Sequence, residues 1–142
     1  MNLYHFEIEN SVDLYQLNDG RFQIIKKGVL APIMIGYKYI LVEKDIATYF
    51  MGLGIDRVSF EPAIVWDRKS DSENIDYVSM RVNHHFDTTD IGDIGDIGDI
   101  DCSGTQFLIY DNQQLFVSCE LKVELEKLPY KFTFTEGFSH FA

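Results

Sequence analysis

The sequence predicts an α+β fold, in which a mainly antiparallel sheet of about six to eight strands carries two helices on one face. The chain has 142 residues, which suits a single domain with one core. Its eleven Phe and eight Tyr, together with many Val and Ile, favour sheet. Most apolar segments alternate with polar residues, and two segments instead have the spacing of a helix.

The N-terminal part is predicted to consist of short strands. Leu3–Ile8 alternates between apolar and polar residues, and so does Val12–Leu17. The tight-turn sequence Asn18-Asp19-Gly20 separates Val12–Leu17 from Arg21–Ile25. These last two segments therefore predict a β-hairpin.

A first helix follows the N-terminal strands. Ile46, Tyr49, Phe50 and Leu53 recur at the spacing i, i+3, i+4 and i+7, which places them on one apolar stripe. Gly54 comes directly after the stripe, where glycine commonly ends a helix. We therefore expect a helix that stops at Gly54.

Two strands and a polar loop are predicted after this helix. Arg57–Asp67 has strand composition, and Pro62 restricts it to a sheet edge or a bulge because proline has no N–H to donate. Asp67–Asn74 is polar and predicts a loop. Ile75–Asn83 alternates again and predicts another strand.

The C-terminal part predicts two strands, a helix and a last strand. Gln106–Tyr110 and Leu115–Ser118 are the two strands, and Ser118 is placed to cap the helix that follows. Pro129 ends that helix, and Lys131–Gly137 alternates as the last strand. The apolar face of the helix consists of Leu121, Leu125 and Leu128.

The two helices have similar sequence surroundings. The segment that starts at Ile40 can be aligned with the segment that starts at Leu115, 75 residues later. The apolar positions of the first helix then coincide with those of the second, and an apolar strand follows each. The similarity predicts an internal duplication or a packing arrangement used twice.

The most unusual segment is the repeat "DTTDIGDIGDIGDIDCS", from Asp87 to Ser103. If it is extended, carboxylates three residues apart stand about 9 Å from each other, too far to share one Ca²⁺ along the strand. Three interpretations of the repeat are possible: a solvated, mobile loop, an acidic patch that contacts a partner, or a cation site in a loop that folds back on itself.

The charge balance restricts the class of partner. Twenty-three acidic and 12 basic side chains give a net charge of −11. This charge disfavours binding to nucleic acid and to anionic membranes, and it favours the approach of a basic protein. Solubility alone is the other explanation of the charge.

The sequence points to a cytoplasmic location. The segment "MNLYHFEIEN" has neither the basic nor the apolar region of a signal peptide, and no apolar run has the length of a membrane helix. Cys102 and Cys119 have no metal-site spacing and suit free thiols in a reducing compartment.

Few residues suggest catalysis. The chain has no G-x-S-x-G, P-loop, H-E-x-x-H or dinucleotide-binding motif. In "NHHFD", His85 and Asp87 share a strand face, and with His140 they match the H-x-D…H ligand set of non-haem iron enzymes. His84 would point to the opposite face. Trp66, the only tryptophan, either packs in the core or anchors an interface.

Two stretches resemble a bacterial family. They are "YILVEKDIATYFMGLGIDRVSFEPAIV" (Tyr39–Val65) and "LFVSCELKVELEKLPYKFTFTEGF" (Leu115–Phe138). The family is the eleventh of the immunity-protein families of polymorphic and type VI-delivered toxins, formerly a domain of unknown function. Matching positions also include Phe60, Pro62 and Ala63 in a proline-containing strand, and Ile100, Asp101 and Ser103 in a turn.

The resemblance implies an immunity protein, without catalytic residues, that binds a cognate secreted antibacterial toxin domain and neutralises it by protein–protein contact. We expect one domain over residues 1–142, with a β-rich part (1–38) and a family-like part (39–142) that contains a mobile acidic insertion (87–104). We expect neither a cofactor nor a metal, and a basic toxin as partner rather than nucleic acid or membrane. The expected partner-binding residues are Trp66, Asp67, His84, His85, Asp87, Asp90, Asp93, Asp96, Asp99 and Asp101.

Two other functions stay open from the sequence. One is a small metal-dependent enzyme that uses His85, Asp87 and His140. The other is an adaptor or scaffold module without catalytic activity.

Overall fold

The computed structural model describes residues 3–9, 12–36, 38–86, 103–110 and 114–137. Over these ranges the chain forms two helices and thirteen strands in three mostly antiparallel sheets, which confirms the predicted α+β class. The elements are β1 (Leu3–Ile8), β2 (Asp13–Gln16), β3 (Phe22–Lys26), β4 (Ile33–Gly36), β5 (Tyr39–Glu43), α1 (Lys44–Gly52), β6 (Val58–Pro62), β7 (Val65–Asp67), β8 (Ser72–Asn74), β9 (Tyr77–Val82), β10 (His85–Phe86), β11 (Phe107–Tyr110), β12 (Gln114–Ser118), α2 (Cys119–Glu126) and β13 (Phe132–Glu136).

The strands outnumber the six to eight expected because several are very short. β7 and β8 have three residues each and β10 has two. Alternation over so few residues gives no recognisable sequence pattern.

The chain divides into two compact units. The terminal unit comprises residues 1–8, 53–58 and 82–142, and the central unit comprises residues 9–52 and 59–81. Each unit has one of the two helices. The expectation that both helices lie on one face of a single sheet is therefore wrong. The single domain expected from the chain length stays a prediction.

The terminal unit has one five-stranded sheet, in the order β10-β11-β12-β1-β13. β1 pairs antiparallel with both β12 and β13, and α2 packs on these three strands. Leu121 and Leu125 of α2 are fully buried. Ser118 caps α2 as predicted, because its Oγ accepts a hydrogen bond from the backbone N–H of Leu121 at 3.3 Å.

The cap of α2 also holds the segment that precedes β11. The buried Oγ of Ser118 donates to the carbonyl of Gly104 at 2.6 Å and accepts the backbone N–H of Gln106 at 3.0 Å. The side chain of Gln106 reaches the carbonyl of Ser103 at 2.5 Å. One hydroxyl therefore ties the start of α2 to residues 104–106.

The central unit has two four-stranded sheets. We call β2-β3-β7-β8 the hairpin sheet and β4-β5-β9-β6 the helix-bearing sheet. Leu41 of β5 faces the hairpin sheet, and Ile40 and Val42 point the other way, toward the side of α1. The core between the sheets contains Val12, Leu14, Phe22, Met34, Leu41, Ala63, Val65 and Tyr77.

Most local predictions in the central unit are confirmed. β2 and β3 form the expected hairpin, in which the N–H of Gly20 donates to the carbonyl of Leu17 and Gly20 has a φ of 93°. α1 is followed by Gly54 with a φ of 68°. The prediction of one strand over Arg57–Asp67 is wrong, because the segment forms two strands in different sheets, β6 and β7. β6 is an edge strand that ends at Pro62, as proline requires.

The prediction of a loop over Asp67–Asn74 is wrong for the second half of this segment. Ser72–Asn74 forms β8, which pairs antiparallel with β7 in a tight hairpin. β8 is an edge strand, and Ser72 and Glu73 are exposed. An exposed edge strand needs no apolar residues, so its polar sequence resembles that of a loop.

The 75-residue recurrence of sequence corresponds to a recurrence of topology. A shift of 75 residues aligns β5 with β12 and the first residue of α1 with the first residue of α2. Each of the two helices follows the second strand of an antiparallel hairpin, and the orders β4-β5-β9-β6 and β11-β12-β1-β13 correspond strand by strand. The third strand of the order is β9 in one sheet and β1, at the start of the chain, in the other.

Candidate protein-binding face

The face of the hairpin sheet that points away from the core carries one row of side chains. Leu14, Phe22 and Val65 point into the core, so the residue after each of them points outward. The cross-strand register aligns these outward residues with one residue of β8. We call the resulting set the Trp66 row; it consists of Tyr15, Gln23, Trp66 and Glu73.

Arg21 packs on the tryptophan of this row. Its guanidinium carbon lies 4.4 Å from the centroid of the Trp66 ring, within cation–π distance. Its Nε lies 3.0 Å from Asp19 Oδ2, and its Nη1 lies 3.6 Å from Glu73 Oε2. Two carboxylates therefore hold the guanidinium over the indole.

The turn of the β2–β3 hairpin positions Arg21. Asp19 Oδ1 accepts the backbone N–H of Arg21 at 3.0 Å. This hydrogen bond, followed by the hydrogen bond from Arg21 Nε and the charge of the guanidinium, holds the pKa of Asp19 below its usual value. Asp19 is thus a carboxylate at neutral pH and orients both ends of Arg21.

The β7–β8 turn holds the other side of Trp66. The indole N–H donates to Asp71 Oδ1 at 3.0 Å. Asp71 has a φ of 50°, a left-handed conformation that aspartate tolerates better than most residues. Trp66 is partly exposed, and its orientation is determined by Arg21 and Asp71 together.

A groove adjoins the Trp66 row at one end of the hairpin sheet. It has a volume of about 260 Å³ and lies where the parallel strands β3 and β7 end. Its lining includes Gln23 of the row, so the two features are contiguous. We call it the basic groove; its other lining residues include Ile25, Lys27, Asp67, Arg68 and Lys69.

The predicted site residues divide between the two units. Trp66 and Asp67 lie together on β7, and Asp67 Oδ1 accepts the backbone N–H of Lys69 at 3.1 Å. His84 and His85 belong to the terminal unit. His84 Nδ1 lies 2.9 Å from Gln106 Oε1, and His85 is exposed on β10.

The other predicted site residues lie outside the described ranges. They are Asp87, Asp90, Asp93, Asp96, Asp99 and Asp101. His140 of the H-x-D…H hypothesis also lies outside, so that metal site stays a hypothesis. In the part of the chain that the structure describes, no group of three or more His, Cys, Asp or Glu side chains is arranged to hold a metal ion.

Sequence reasoning missed most of this face. Tyr15 and Gln23 could have been paired from the predicted hairpin, since the turn determines the register. No sequence pattern identifies Arg21 or Glu73 as part of this face, because they meet at Trp66 only through the pairing of β7 with β3 and β8.

Comparison of the chain with protein-family models, curated proteins and solved structures finds no match. Over the described residues, neither helix has the length and apolar character needed to cross a membrane.

Proposed function

We propose that this protein is an immunity protein, which binds a toxin domain through the Trp66 row and thereby neutralises it. The observation that carries the proposal is the stacked pair of Trp66 and Arg21 at the middle of an outward sheet face. Tryptophan, tyrosine and arginine are the residues that most often dominate the binding energy of protein interfaces.

The pair is suited to binding because it is already ordered. Arg21 contacts two carboxylates, and the indole N–H of Trp66 is hydrogen-bonded. A partner that docks here has little side-chain entropy to remove, which favours affinity. Tyr15, at the end of the row, is 63% exposed and offers a second aromatic contact.

The distribution of charge supports a basic partner. Residues 87–102 contain six of the 23 acidic side chains and none of the 12 basic ones, so they supply −6 of the net charge of −11. So dense a charge speeds the encounter with a basic protein at low salt. We propose that this segment steers the toxin and that the Trp66 row holds it.

The identification of the partner as a toxin rests on the resemblance to the immunity-protein family. The stretches that carry it, Tyr39–Val65 and Leu115–Phe138, span the two related strand–helix–strand segments. An immunity protein of this kind would act in the cytoplasm of the producing bacterium and would need no cofactor.

A growth assay tests the function directly. The candidate toxin, a domain encoded by a neighbouring gene, is expressed in a susceptible host with or without the protein. We expect growth to be restored only when both are present, and the two purified proteins to form a stable complex. An adaptor would give no rescue, and continued killing in the presence of folded protein would contradict the proposal.

Neutralising the repeat should slow association. We expect the replacement of Asp90, Asp93, Asp96 and Asp99 with Ser to lower the association rate constant about tenfold at low salt, with a smaller effect on dissociation. Stopped-flow measurements over a range of salt concentrations check this. The matched control replaces the exposed carboxylates Asp45, Asp56, Glu61 and Glu120 with Ser, Ser, Gln and Gln. Equal slowing by both variants would mean that net charge, rather than the repeat, is responsible.

A further inference from the structure

We infer that the basic groove receives an acidic segment of the partner, in which carboxylates alternate with an apolar side chain. This inference deepens the proposed function and rests on it for the identity of the partner. The juxtaposition that carries it is Lys27, Arg68 and Lys69 around one groove, next to the Trp66 row.

The three cations of the groove differ from several others on this acidic chain. Arg21, Lys122 and Lys127 each lie within 3.1 Å of a carboxylate oxygen. In contrast, no ion pair joins the three groove cations to any other described residue, and all three are exposed. Over the described ranges they therefore present positive charge that no ion pair offsets, on a chain whose net charge is −11.

The one carboxylate of the groove does not cancel this charge. Asp67 Oδ1 accepts the backbone N–H of Lys69, and this hydrogen bond stabilises the β7–β8 turn. Three cations against one such carboxylate leave the groove positive. Carboxylates of a bound segment would complement it.

The groove also offers an apolar contact. Ile25 is 58% exposed and lines the groove together with Lys27. An apolar side chain of the bound segment would cover part of this surface, which is worth about 25 cal/mol per Å² removed from water. A segment with both kinds of residue therefore fits the groove better than an isolated anion.

A protein segment is favoured over nucleic acid. The groove has only three cations, and the net charge of −11 repels a long polyanion. The aromatic and arginine side chains of the adjoining Trp66 row also belong to a protein interface. A toxin that is basic overall would thus carry a local acidic segment opposite the groove.

Peptide binding tests the groove without the toxin. The probe is a short fluorescein-labelled peptide of alternating Glu and Leu, followed by fluorescence anisotropy at low salt. The groove variant carries Lys27→Gln, Arg68→Gln and Lys69→Gln. The control variant carries Lys44→Gln, Arg81→Gln and Lys131→Gln, which makes the same change of charge at exposed sites outside the groove.

We expect saturable binding of the peptide by the unmodified protein, weakened about tenfold in the groove variant and little changed in the control variant. A Gln–Leu peptide should bind much more weakly. Absence of saturable binding of the Glu–Leu peptide, or equal loss in both variants, would overturn the inference. Tighter binding of an oligonucleotide that is lost only in the groove variant would also overturn it, in favour of phosphate recognition.

The same variants separate this inference from the proposed function. If the toxin domain binds the unmodified protein and the control variant, we expect the groove variant to bind it about tenfold more weakly. Unchanged toxin affinity of the groove variant would refute the role of the groove and leave the proposed function standing. Binding of the peptide without any binding or neutralisation of the toxin would refute the proposed function and leave the groove as an acidic-peptide site.

Discussion

Replacement of Trp66 with Ala should weaken the complex with the toxin domain by about 30-fold or more, the loss of about 2 kcal/mol that defines an interface hot spot. The substitution removes the largest side chain of the Trp66 row and the surface on which Arg21 lies. It also leaves Asp71 without its indole donor. Isothermal titration calorimetry and the growth assay should both report the loss.

Two further variants control for folding and for the type of contact. Tyr130→Ala truncates a 38% exposed aromatic residue of the terminal unit and should leave the affinity unchanged. Trp66→Phe keeps an aromatic ring under Arg21 but has no N–H for Asp71, so its affinity should lie between those of the unmodified protein and Trp66→Ala. Unaltered toxin affinity in a folded Trp66→Ala variant would show that the Trp66 row is not the contact.

Replacement of Ser118 with Ala should lower the free energy of unfolding by about 2–4 kcal/mol. Loss of a serine N-cap costs about 1 kcal/mol, and each buried polar group left without a partner costs about 1–3 kcal/mol more. Ser118 is fully buried, and its hydroxyl is shared by Gln106, Gly104 and Leu121. Three backbone groups therefore lose a partner when one oxygen is removed.

Urea denaturation monitored by circular dichroism measures this loss. Ser70→Ala is the matched control, because Ser70 is exposed and its hydroxyl contacts only the exposed Ser72 among the described hydrogen bonds. A surface change of this kind shifts stability by about 0.5 kcal/mol or less. If Ser118→Ala falls in the same range, the hydroxyl does not hold residues 104–106 as described.

Local sequence signals predicted most elements correctly. The Asn18-Asp19-Gly20 turn, the apolar stripe before Gly54 and the cap at Ser118 each act within a few residues of the chain. Backbone conformation and capping hydrogen bonds depend on neighbours of this kind. The α+β class, the β2–β3 hairpin and the two helices could therefore be predicted without a structure.

The candidate site could be predicted only in part. The sequence indicates Trp66 and Asp67 because the only tryptophan lies beside acidic residues, although the sequence also allows Trp66 to pack in the core. The sequence does not indicate Arg21 or the cations of the basic groove, because their sequence neighbours are those of any exposed basic residue. Their importance comes from neighbours that are distant along the chain.

The sequence by itself determined the two helices, the β2–β3 hairpin and most of the longer strands, together with the strong negative charge and its concentration between Asp87 and Asp101. Only the tertiary structure decided that β7 pairs with β3 on one side and with β8 on the other, which brings Arg21 over Trp66 and gathers three cations around one groove. The physical reason is that backbone hydrogen bonds between strands are much the same for any sequence. The choice of partner strand therefore depends on how Leu14, Phe22 and Val65 pack in a core shared with the second sheet, and no local pattern encodes that packing.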